Sequence, residues 1–479
     1  MDASTPAGAS SRPPARLAGT GTSVPTVRRT SGAVRFRLRA SGVEPALRLA
    51  AFAAATALAE AAGRLGDVFA SPERRTARRE ERQRRAAERL ARTLGGLKGA
   101  FVKLGQFAAL RYDVLPAWVR EGLASLHDRV PPLPFETVLH VVETELGRPL
   151  GDAFAAFDPE PLGAASIAQV HRARLASGED VAVKVQHPWL EASLAADLAL
   201  LRALLGAFMA ATGRGRATGR RLFDEFAAAL REELDFEREA AVAREIAANL
   251  AFEPQIVVPE IVSALTTRRV LTMRFHAAVG IADRAGLARL GVPPGAVLEV
   301  LARAYAKQVF ADGLFHADPH PGNLFVLDEP AAASRPRVLF IDFGLSRRLG
   351  PALRDELRRG LFALLQRDPD GFVAGMERMG MIAPGAHEGV RAAVLEMFER
   401  MRDEAASPLA LSGDRILSLK DRAKALLQET PGLQLPNDLL LYARTLSYLF
   451  ALGAELDPSV DLLKISLPYL MKFLAGAPS

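Results

Sequence analysis

The spacing of apolar residues changes along the chain, and each change marks a different kind of predicted element. Apolar positions three and four residues apart indicate amphipathic helices, whereas strict alternation indicates strands. Alternation predicts a hairpin of strands 168–175 and 180–186 about a Ser177-Gly178 turn, and two further strands within 256–275. Helical spacing predicts these segments: 34–70, 73–96, 98 to about 127 with a break at Pro116, 134–146, 190–212, 222–250, 294–312 and most of 345–475.

The order of these elements predicts an α+β protein made of four parts. A disordered basic tail at 1–33 is followed by a helical extension at 34–150, a small α/β lobe at 151–278 and a mostly helical lobe at 279–479. The tail is rich in Ser, Thr, Pro, Gly and Arg and has too few apolar residues to form a core. A chain of 479 residues is long enough for two or three folded units.

Positive charge is concentrated near the N-terminus. Residues 1–98 carry 18 arginines and one lysine against eight acidic residues, so the rest of a chain with net charge +6 is acidic. Nine of these arginines lie in 74–92, interleaved with glutamates and without aromatic residues. That pattern is typical of a salt-bridged helix surface, and attraction to an anionic membrane surface is the second interpretation. We do not expect nucleic acid as a partner.

The composition also restricts the compartment and the chemistry. Cysteine is absent, which excludes disulfides, thiolate metal sites and a cysteine nucleophile. No run reaches the roughly 18 consecutive apolar residues of a membrane span, and the best candidate, 49–59, is flanked by Arg48 and Glu60. We therefore expect a cytoplasmic protein that associates peripherally with a membrane and has no transmembrane segment.

The candidate chemistry lies in two short segments, GLFHADPHPGN at 313–323 and FIDFG at 340–344. Asp318 is followed by Asn323 five positions later and then by Asp342 of an Asp-Phe-Gly sequence, in the order and spacing of a kinase active site. Asn323 and Asp342 offer the hard oxygen ligands that Mg²⁺ on ATP requires, which leaves Asp318 to orient a nucleophile. An acidic turn is the alternative, since these residue types crowd into loops; a usable lysine upstream favours the kinase interpretation.

That lysine is Lys184, which follows the hairpin turn as does the lysine that contacts the α- and β-phosphates in protein kinases. It ends an apolar alternation, where an unpaired charge is costly, so it needs a carboxylate partner. The predicted helix 222–250 offers Glu233, Asp235 and Glu239, and the last two are four residues apart and are expected to share a helix face. An ordinary charged helix face is the alternative interpretation of these acids.

Together these segments resemble the UbiB (AarF/ADCK) family of atypical, protein-kinase-like proteins, from about residue 90 to 470. The resemblance implies a two-lobe protein-kinase-like fold with a family-specific helical extension that carries a KxGQ motif. It rests on these segments: KLGQ at 103–106, HDRVPPLPFE at 127–136, GAASIAQVH at 163–171, VAVKVQHP at 181–188, ELDFEREA at 233–240, HADPHPGN at 316–323 and IDFG at 341–344.

The resemblance also implies roles for individual residues. Glu239 becomes the ion-pair partner of Lys184, and both join Asp318 as the catalytic set. The KxGQ segment is expected to fold over the active site, where it contacts the nucleotide and closes the site to protein substrates. The residues expected to regulate this closure are Lys103, Gln106, Glu233 and Asp235.

The loop expected to cover the phosphates is unusual, because it reads Gly163-Ala164-Ala165-Ser166 where ordinary kinases have several glycines. Methyl groups restrict the close backbone approach that glycine permits, so the usual nucleotide pose is disfavoured. The family pattern has alanine at the first position too, and Gly163 is expected to loosen the turn. In the hinge, Met273 is expected to contact the nucleotide, and Arg274 replaces the family's usual acidic residue.

Two classes of function fit these residues. The first is an atypical kinase or ATPase that uses ATP and Mg²⁺ and supports ubiquinone or other isoprenoid-quinone biosynthesis at a membrane, with a quinone precursor or another lipid as partner. No Ala-Pro-Glu follows Gly344, so phosphorylation of proteins in trans is disfavoured. The second is a non-catalytic, nucleotide-sensing pseudokinase or lipid-binding chaperone of a biosynthetic complex. An aminoglycoside- or choline-type kinase ranks below both. The oligomeric state is left open, with a homodimer as one arrangement.

Overall fold

The computed structural model describes residues 43–67, 70–97, 99–109, 111, 119–120, 123, 132–211, 216–329, 335–404, 430 and 432–476. The predicted tail at 1–33 and the predicted helix break at Pro116 lie outside the described residues. The α+β organisation predicted from the sequence is confirmed, because the described residues form many helices together with three small sheets.

Helices form most of the described chain and are numbered here in chain order. The helices are α1 (Val43–Gly66), α2 (Pro72–Leu97), α3 (Ala100–Ala109), α4 (Phe135–Leu146), α5 (Leu150–Ala153), α6 (Pro188–Ala211), α7 (Arg216–Glu233), α8 (Phe236–Asn249), α9 (Arg284–Arg289), α10 (Pro294–Ala306), α11 (Pro351–Gln366), α12 (Pro369–Arg378), α13 (His387–Glu404), α14 (Asn437–Leu456) and α15 (Leu462–Leu474). The strands are β1 (Ala156–Ala164), β2 (Ala168–Arg174), β3 (Asp180–Gln186), β4 (Ile256–Val257), β5 (Val270–Arg274), β6 (Ala278–Gly280), β7 (Leu314–Phe315), β8 (Leu324–Leu327), β9 (Val338–Phe340) and β10 (Arg347–Arg348).

The small lobe is built on an antiparallel sheet of order β1-β2-β3-β5. The predicted hairpin is confirmed: β2 pairs with β3 from Ala168 opposite Gln186 to Arg174 opposite Asp180. Gly178 in its turn has φ of 91°, a conformation that glycine adopts without steric cost. Strand β1 was not predicted from the sequence, because Pro159 and Pro161 interrupt it and proline is confined to edge positions of sheets. Its pairing with β2 is accordingly irregular around Pro161.

Helix α4 covers one face of this sheet. Its buried valines pack with inward-facing valines of β3 and with Val270 of β5 in one apolar cluster. Alternate residues of a strand face one side, so Val181, Val183 and Val185 all enter this cluster. The predicted division at residue 150 assigns α4 to the extension, but in the structure α4 contributes to the core of the small lobe.

The predicted single helix at 222–250 is wrong, because the structure has two helices there, α7 and α8. Asp235 is extended, with φ of −108°, and its side chain accepts a hydrogen bond from the backbone N–H of Arg238, which makes it the N-cap of α8. Aspartate is favoured at this position because its carboxylate satisfies an otherwise unpaired helix N–H. Asp235 and Glu239 therefore do not share a helix face; the break instead places Glu233 at the end of α7 and Glu239 in the first turn of α8.

In the helical extension, α1 and α2 pack against each other as a hairpin. The acidic residues of α2 pair with its arginines, as a salt-bridged surface predicts: Arg84 and Arg85 both contact Glu81, at 2.9 and 2.7 Å. The outward face of α1 is apolar, with Leu47, Leu58 and Leu65 all at least 66% exposed. Their spacings of 11 and 7 residues put the three leucines on one side of the helix.

Two described helical segments are long and apolar enough to cross a membrane by length and composition. Residues 44–63 are almost unburied, whereas 44% of the window in residues 437–456 is buried, as in a core helix of a soluble protein. No transmembrane segment is predicted from the sequence, because Arg48 and Glu60 interrupt the apolar run at 44–63.

The large lobe contains a mixed sheet of order β4-β9-β8-β6, packed against α10 and α14. Strands β8 and β9 are antiparallel, with Leu324 opposite Phe340. The two segments that carry the candidate chemistry meet at this pair, because Asn323 directly precedes β8 and Asp342 closely follows β9. The β-pairing thus joins residues that are widely separated in sequence.

Candidate active site

Lys184 is the centre of a buried network of charges between the lobes. Its Nζ donates hydrogen bonds to both carboxylate oxygens of Glu239, at 2.9 and 3.0 Å, and to Oδ1 of Asp342 at 3.2 Å. The ammonium also lies 5.1 Å from the ring centroid of Phe236. The ion pair expected between Lys184 and Glu239 is therefore formed in the structure, and Lys184 also reaches the Asp-Phe-Gly aspartate.

The charges of this network displace the pKa values of its members. Burial disfavours the Lys184 ammonium, but Asp342 and Glu239 outweigh that effect and raise its pKa well above the usual range. Burial, reinforced by the charge of Asp342, raises the pKa of Glu239 to about 7 against the opposing effect of Lys184. Burial also opposes ionisation of Asp342, yet Lys184 and Lys103 hold the pKa of Asp342 below its usual range. Two carboxylates share the charge of Lys184, and ionisation is less favourable for Glu239, which is the more buried of the two.

Asp342 has an unusual backbone conformation, with φ of 62°. A residue other than glycine rarely adopts this left-handed region, although Asp and Asn are enriched there. The imidazole of His316 holds the backbone in place, because its Nε2 lies 2.9 Å from the Asp342 carbonyl oxygen and 3.0 Å from that of Ile341. The observed conformation directs the carboxylate towards Lys184, and the side chain is 49% exposed.

His316 itself is fixed by buried partners. Its Nε2 faces two carbonyl oxygens and must carry the proton, so in the neutral ring Nδ1 accepts a hydrogen bond from the Tyr305 hydroxyl at 3.0 Å. The backbone N–H of His316 donates to Gln308 Oε1 at 2.9 Å. Gln308 lies in a π-helical segment, Lys307–Asp312, that extends α10. Such single π turns are frequent near functional sites.

Asp318 and Asn323 face each other across the loop at 313–323, which is the candidate catalytic loop. Asn323 Nδ2 donates a hydrogen bond to Asp318 Oδ2 at 2.9 Å, and this bond does not involve the Asn323 side-chain oxygen. The backbone N–H of Ile341 donates to the Asn323 carbonyl at 3.0 Å, so Asn323 adjoins Asp342 through the β8–β9 pairing. The sequence-predicted residues of the kinase motif are therefore brought together in one site.

Arg444 of α14 is a residue of this site that the sequence analysis missed. Its Nη2 lies 2.8 Å from Asp318 Oδ1, and both side chains are about one-fifth exposed. The two residues are 126 positions apart in sequence. Arg444 belongs to a helix with ordinary composition, so local sequence carries no signal for its role.

The Lys103 segment packs along α7 near the active site. Helix α3 runs antiparallel to α7, with Phe101, Leu104 and Phe107 in one apolar cluster with residues of α7. Gln106 lies one turn beyond Lys103 and is half-buried. Three contacts define this packing: the ion pair of Lys103 with Glu233, the rings of Phe107 and Phe226 with centroids 5.7 Å apart, and the ion pair of Arg111 with Glu225.

The Ala-rich loop is tightly closed between β1 and β2. The N–H of Ala165 donates to the Ala168 carbonyl at 2.8 Å, and the ring of buried His187 contacts the Ala165 carbonyl at 3.0 Å. Ser166 is fully buried, so its hydroxyl does not face solvent in this structure. Gly163 pairs with Val170 in the β1–β2 ladder. Its φ is not positive and an added Cβ would meet no atom within 4 Å, so the backbone does not require glycine there.

The hinge side chain of Met273 points into the core that small-lobe residues share with the extension. The N–H groups of Arg274 and Phe275 donate to the carbonyls of Glu260 and Asp180, at 2.8 and 2.9 Å. The guanidinium of Arg274 lies 3.1 Å from Glu179. The positive charge that replaces the family's acidic residue is therefore already paired on the small-lobe surface.

The donor atoms of the site fit Mg²⁺. Asn323 and Asp342 offer an amide oxygen and a carboxylate, and Mg²⁺ in nucleotide sites is bound through one or two such groups with the phosphates and water. Within the described residues no group of three or more His, Asp or Glu side chains forms a metal site.

Comparison with known proteins agrees with this geometry. Residues 125–375 match the ABC1 atypical kinase-like domain, which is more than half of the chain. The chain belongs to the ABC1 atypical kinase-like family. The predicted membership of the UbiB-type family and the predicted kinase-like α+β fold are both confirmed.

Relatives in the ABC1 family align over most of the chain. A probable protein kinase UbiB from Marinobacter nauticus is 33% identical over 386 residues, which cover 80% of this chain and 69% of the relative. The chloroplastic protein ACTIVITY OF BC1 COMPLEX KINASE 8 from Arabidopsis thaliana is 32% identical over 401 residues. That alignment covers 78% of this chain but only 52% of the relative, so the chain spans about half of the relative's length.

A solved structure also resembles this chain. The complex of Rv3197 with erythromycin from Mycobacterium tuberculosis superposes with a TM-score of 0.50 at 25% sequence identity. The superposition covers 84% of this chain and the whole of that protein. The likeness therefore extends beyond the matched domain.

Proposed function

We propose that the protein is an Mg²⁺-dependent, ATP-using enzyme whose phosphoryl acceptor is water, a small molecule or a lipid. We further propose that it supports ubiquinone or another isoprenoid-quinone pathway at a membrane. The observation that carries the enzyme proposal is the convergence of Lys184, Asp318, Asn323 and Asp342 on one site, where they offer groups for phosphate contact, acceptor orientation and metal binding. The family names of the relatives support the link to quinones.

In this proposal each residue has a distinct task. Asn323 and Asp342 hold Mg²⁺, which neutralises charge on the phosphates. Lys184, kept in position by Glu239, contacts the α- and β-phosphates, and Asp318 orients the acceptor hydroxyl and accepts its proton. Catalysis then depends on positioning and electrostatic stabilisation, as phosphoryl transfer generally does.

The extension supports the choice of acceptor. Lys103 of α3 forms an ion pair with Glu233, and its charge is close enough to lower the pKa of Asp342. A helix in that place limits access for an extended peptide, whereas water or a thin acyl or isoprenoid chain needs less room. Lys103, Gln106, Glu233 and Asp235 are proposed to regulate this access.

Membrane association is supported by two surfaces of the extension. The exposed leucines of α1 offer apolar area to a bilayer, and the arginines of neighbouring α2 offer charge to anionic headgroups. We expect Leu58→Glu with Leu65→Glu to weaken co-sedimentation with anionic vesicles at least tenfold, since charged residues are costly in the acyl region. Equal pelleting of wild-type and variant protein contradicts this surface assignment.

Turnover of ATP tests the enzyme proposal directly. We expect the full-length protein with Mg²⁺ to release ADP above a no-protein background, with and without anionic vesicles. Asp318→Asn should reduce the rate about 100-fold or more, because the general base contributes that much in typical enzymes. Equal release from wild type and Asp318→Asn favours the alternative, a nucleotide-sensing pseudokinase or lipid-binding chaperone.

A further inference from the structure

The catalytic loop itself contains no cation. Residues 313–323 have neither lysine nor arginine, and the residue two positions after Asp318 is His320. The His320 ring turns back on its own loop, with Nδ1 accepting a hydrogen bond from the Gly322 N–H at 3.0 Å. Phosphoryl transfer spreads negative charge over three oxygens beside the nucleophile, and enzymes usually place a cation there. The loop does not supply it.

Helix α14 brings a cation to this place. Arg444 Nη2 donates to Asp318 Oδ1 at 2.8 Å, and Asn323 occupies the other carboxylate oxygen. Of the described residues, Arg444 is the one that forms an ion pair with Asp318. The Nε of Arg444 is buried and has no hydrogen-bond partner within the described chain. Such an unsatisfied donor costs free energy unless a ligand or water accepts its proton.

The position of Arg444 is fixed from both sides. The next residue, Thr445, is fully buried, and its Oγ1 lies 2.8 Å from the carbonyl of Leu441 in its own helix and 3.2 Å from the carbonyl of Ala317. The single hydroxyl proton is shared between these two carbonyls, so α14 contacts the catalytic loop at this point. Leu441 packs with Phe315 and Ala317 in one apolar cluster. The guanidinium lies 5.2 Å from the ring centroid of Tyr448, one turn along. A guanidinium held this way is preorganised and loses little freedom when it binds an anion.

We propose that Arg444 is a catalytic residue that stabilises the transferring phosphoryl group, supplied within the chain by α14 in place of a cation in the catalytic loop. An arginine supplied in this way stabilises transition-state charge in other phosphoryl-transfer enzymes. Its planar donors suit phosphoryl oxygens better than a point charge does. This inference rests on the proposed function, because it assigns a further residue to the same reaction.

The reaction balances without a proton from Arg444. The acceptor oxygen forms a bond to the γ-phosphorus while the bond from that phosphorus to the β–γ bridging oxygen breaks, and ADP leaves with the electron pair. The acceptor's proton passes to Asp318 and then to solvent. Arg444 keeps its protons throughout and contributes hydrogen bonds and charge to the phosphoryl oxygens.

Binding of a transition-state analogue separates this role from ordinary nucleotide binding. We expect Arg444→Met to weaken the affinity for ADP with Mg²⁺ and aluminium fluoride about 100-fold, while the affinity for ATP changes less than threefold. Arg444→Lys should recover part of the loss, since it restores the charge without the planar fork. Arg359→Met, the same change at an exposed arginine of α11, is the matched control and should leave both affinities unchanged. Calorimetric titration measures both.

A double variant distinguishes catalysis from the mere positioning of Asp318. If Arg444 acts only by holding the Asp318 carboxylate, Arg444→Met adds nothing in an Asp318→Asn background. We expect it still to weaken binding of the analogue at least tenfold there. In turnover assays of the single variant Arg444→Met, kcat should fall about 100-fold relative to wild type, with the KM for ATP nearly unchanged.

The outcomes are distinguishable from those for the proposed function. No turnover by wild-type protein refutes the proposed function. Wild-type turnover with unchanged kcat and unchanged analogue affinity in Arg444→Met refutes the assignment of Arg444 alone, as does an equal loss of ATP and analogue affinity. If Arg444→Met does not fold, Arg444→Gln, which retains a donor for Asp318 but no charge, takes its place with the same expected results.

Discussion

Asp342→Asn is expected to remove the advantage that Mg²⁺ gives to ATP binding and to lower turnover about 1000-fold, at the upper end of losses for one electrostatic group. Asparagine has the same shape and tolerates the left-handed φ of 62°, so the backbone should be preserved. What is lost is the carboxylate that Mg²⁺ prefers. Without Mg²⁺, the variant should bind ATP as well as wild type or better, because one negative charge facing the phosphates is gone.

Calorimetric titration measures the affinity of each protein for ATP twice, once with Mg²⁺ and once with a chelator. The ratio of these two affinities is the advantage that Mg²⁺ gives to ATP binding. The ratio should be large for wild type and close to one for Asp342→Asn. Asp355→Asn, at an exposed carboxylate of α11, provides the control and should behave as wild type. A ratio that is the same in all three proteins contradicts the assignment of Asp342 as a metal ligand.

Lys184→Met is expected to have the largest effect on stability. Glu239 is 1% exposed, and removal of Lys184 leaves its charge buried without the partner that the structure provides. Breaking a buried ion pair in this way costs about 3–5 kcal/mol. Tryptophan fluorescence during urea unfolding measures the loss, because Trp189 lies in the first turn of α6, close after β3, and stacks on His187 with ring centroids 4.6 Å apart.

The loss from Lys184→Met should depend on pH with a definite sign. The pKa of Glu239 is raised to about 7 from an ordinary value of 4.5, so the folded protein binds more protons than the unfolded chain in this window and loses stability as the pH rises. Without Lys184 the pKa rises further, and ionisation costs more. The difference between wild type and variant should thus be larger at pH 8 than at pH 5.5.

A second substitution checks the cause of this loss. Glu239→Gln in the Lys184→Met background should recover most of the stability, because it removes the buried charge and keeps the shape. Lys472→Met, at an exposed lysine of α15, serves as the control for the substitution itself. A loss that is independent of pH, or one that Glu239→Gln leaves unchanged, contradicts the described network.

Elements with a strong local signal could be predicted from the sequence. The β2–β3 hairpin follows from strict alternation, and α2 follows from the charged helical pattern at 73–96. The break at Asp235 was missed because the apolar spacing continues across it, and only the capping geometry shows where α8 begins. Strand β1 was missed because its prolines argue against a strand, although they are tolerated at the edge of the sheet.

The residues of the candidate site, like the helices and strands, could be predicted only where local sequence carries a signal. Asp318, Asn323 and Asp342 were found because their spacing is set by one loop and one strand pair. The partners Glu233 and Glu239 were assigned through the family resemblance, since ordinary helix acids look the same in sequence. Arg444 gave no signal, because its contact with Asp318 depends on how α14 packs against the catalytic loop. Residues joined only by tertiary packing lie beyond local sequence reasoning.

The fate of the γ-phosphate distinguishes a phosphoryl-transfer site that is closed to protein substrates from one that accepts them. Full-length protein is incubated with Mg²⁺ and ATP labelled at the γ-phosphate, together with anionic vesicles and a generic protein substrate. We expect the label in inorganic phosphate or in the lipid or small-molecule fraction, at a rate abolished by Asp342→Asn. Transfer of the label to the added protein at a comparable rate, or no release above the Asp342→Asn background, contradicts the proposed closed site.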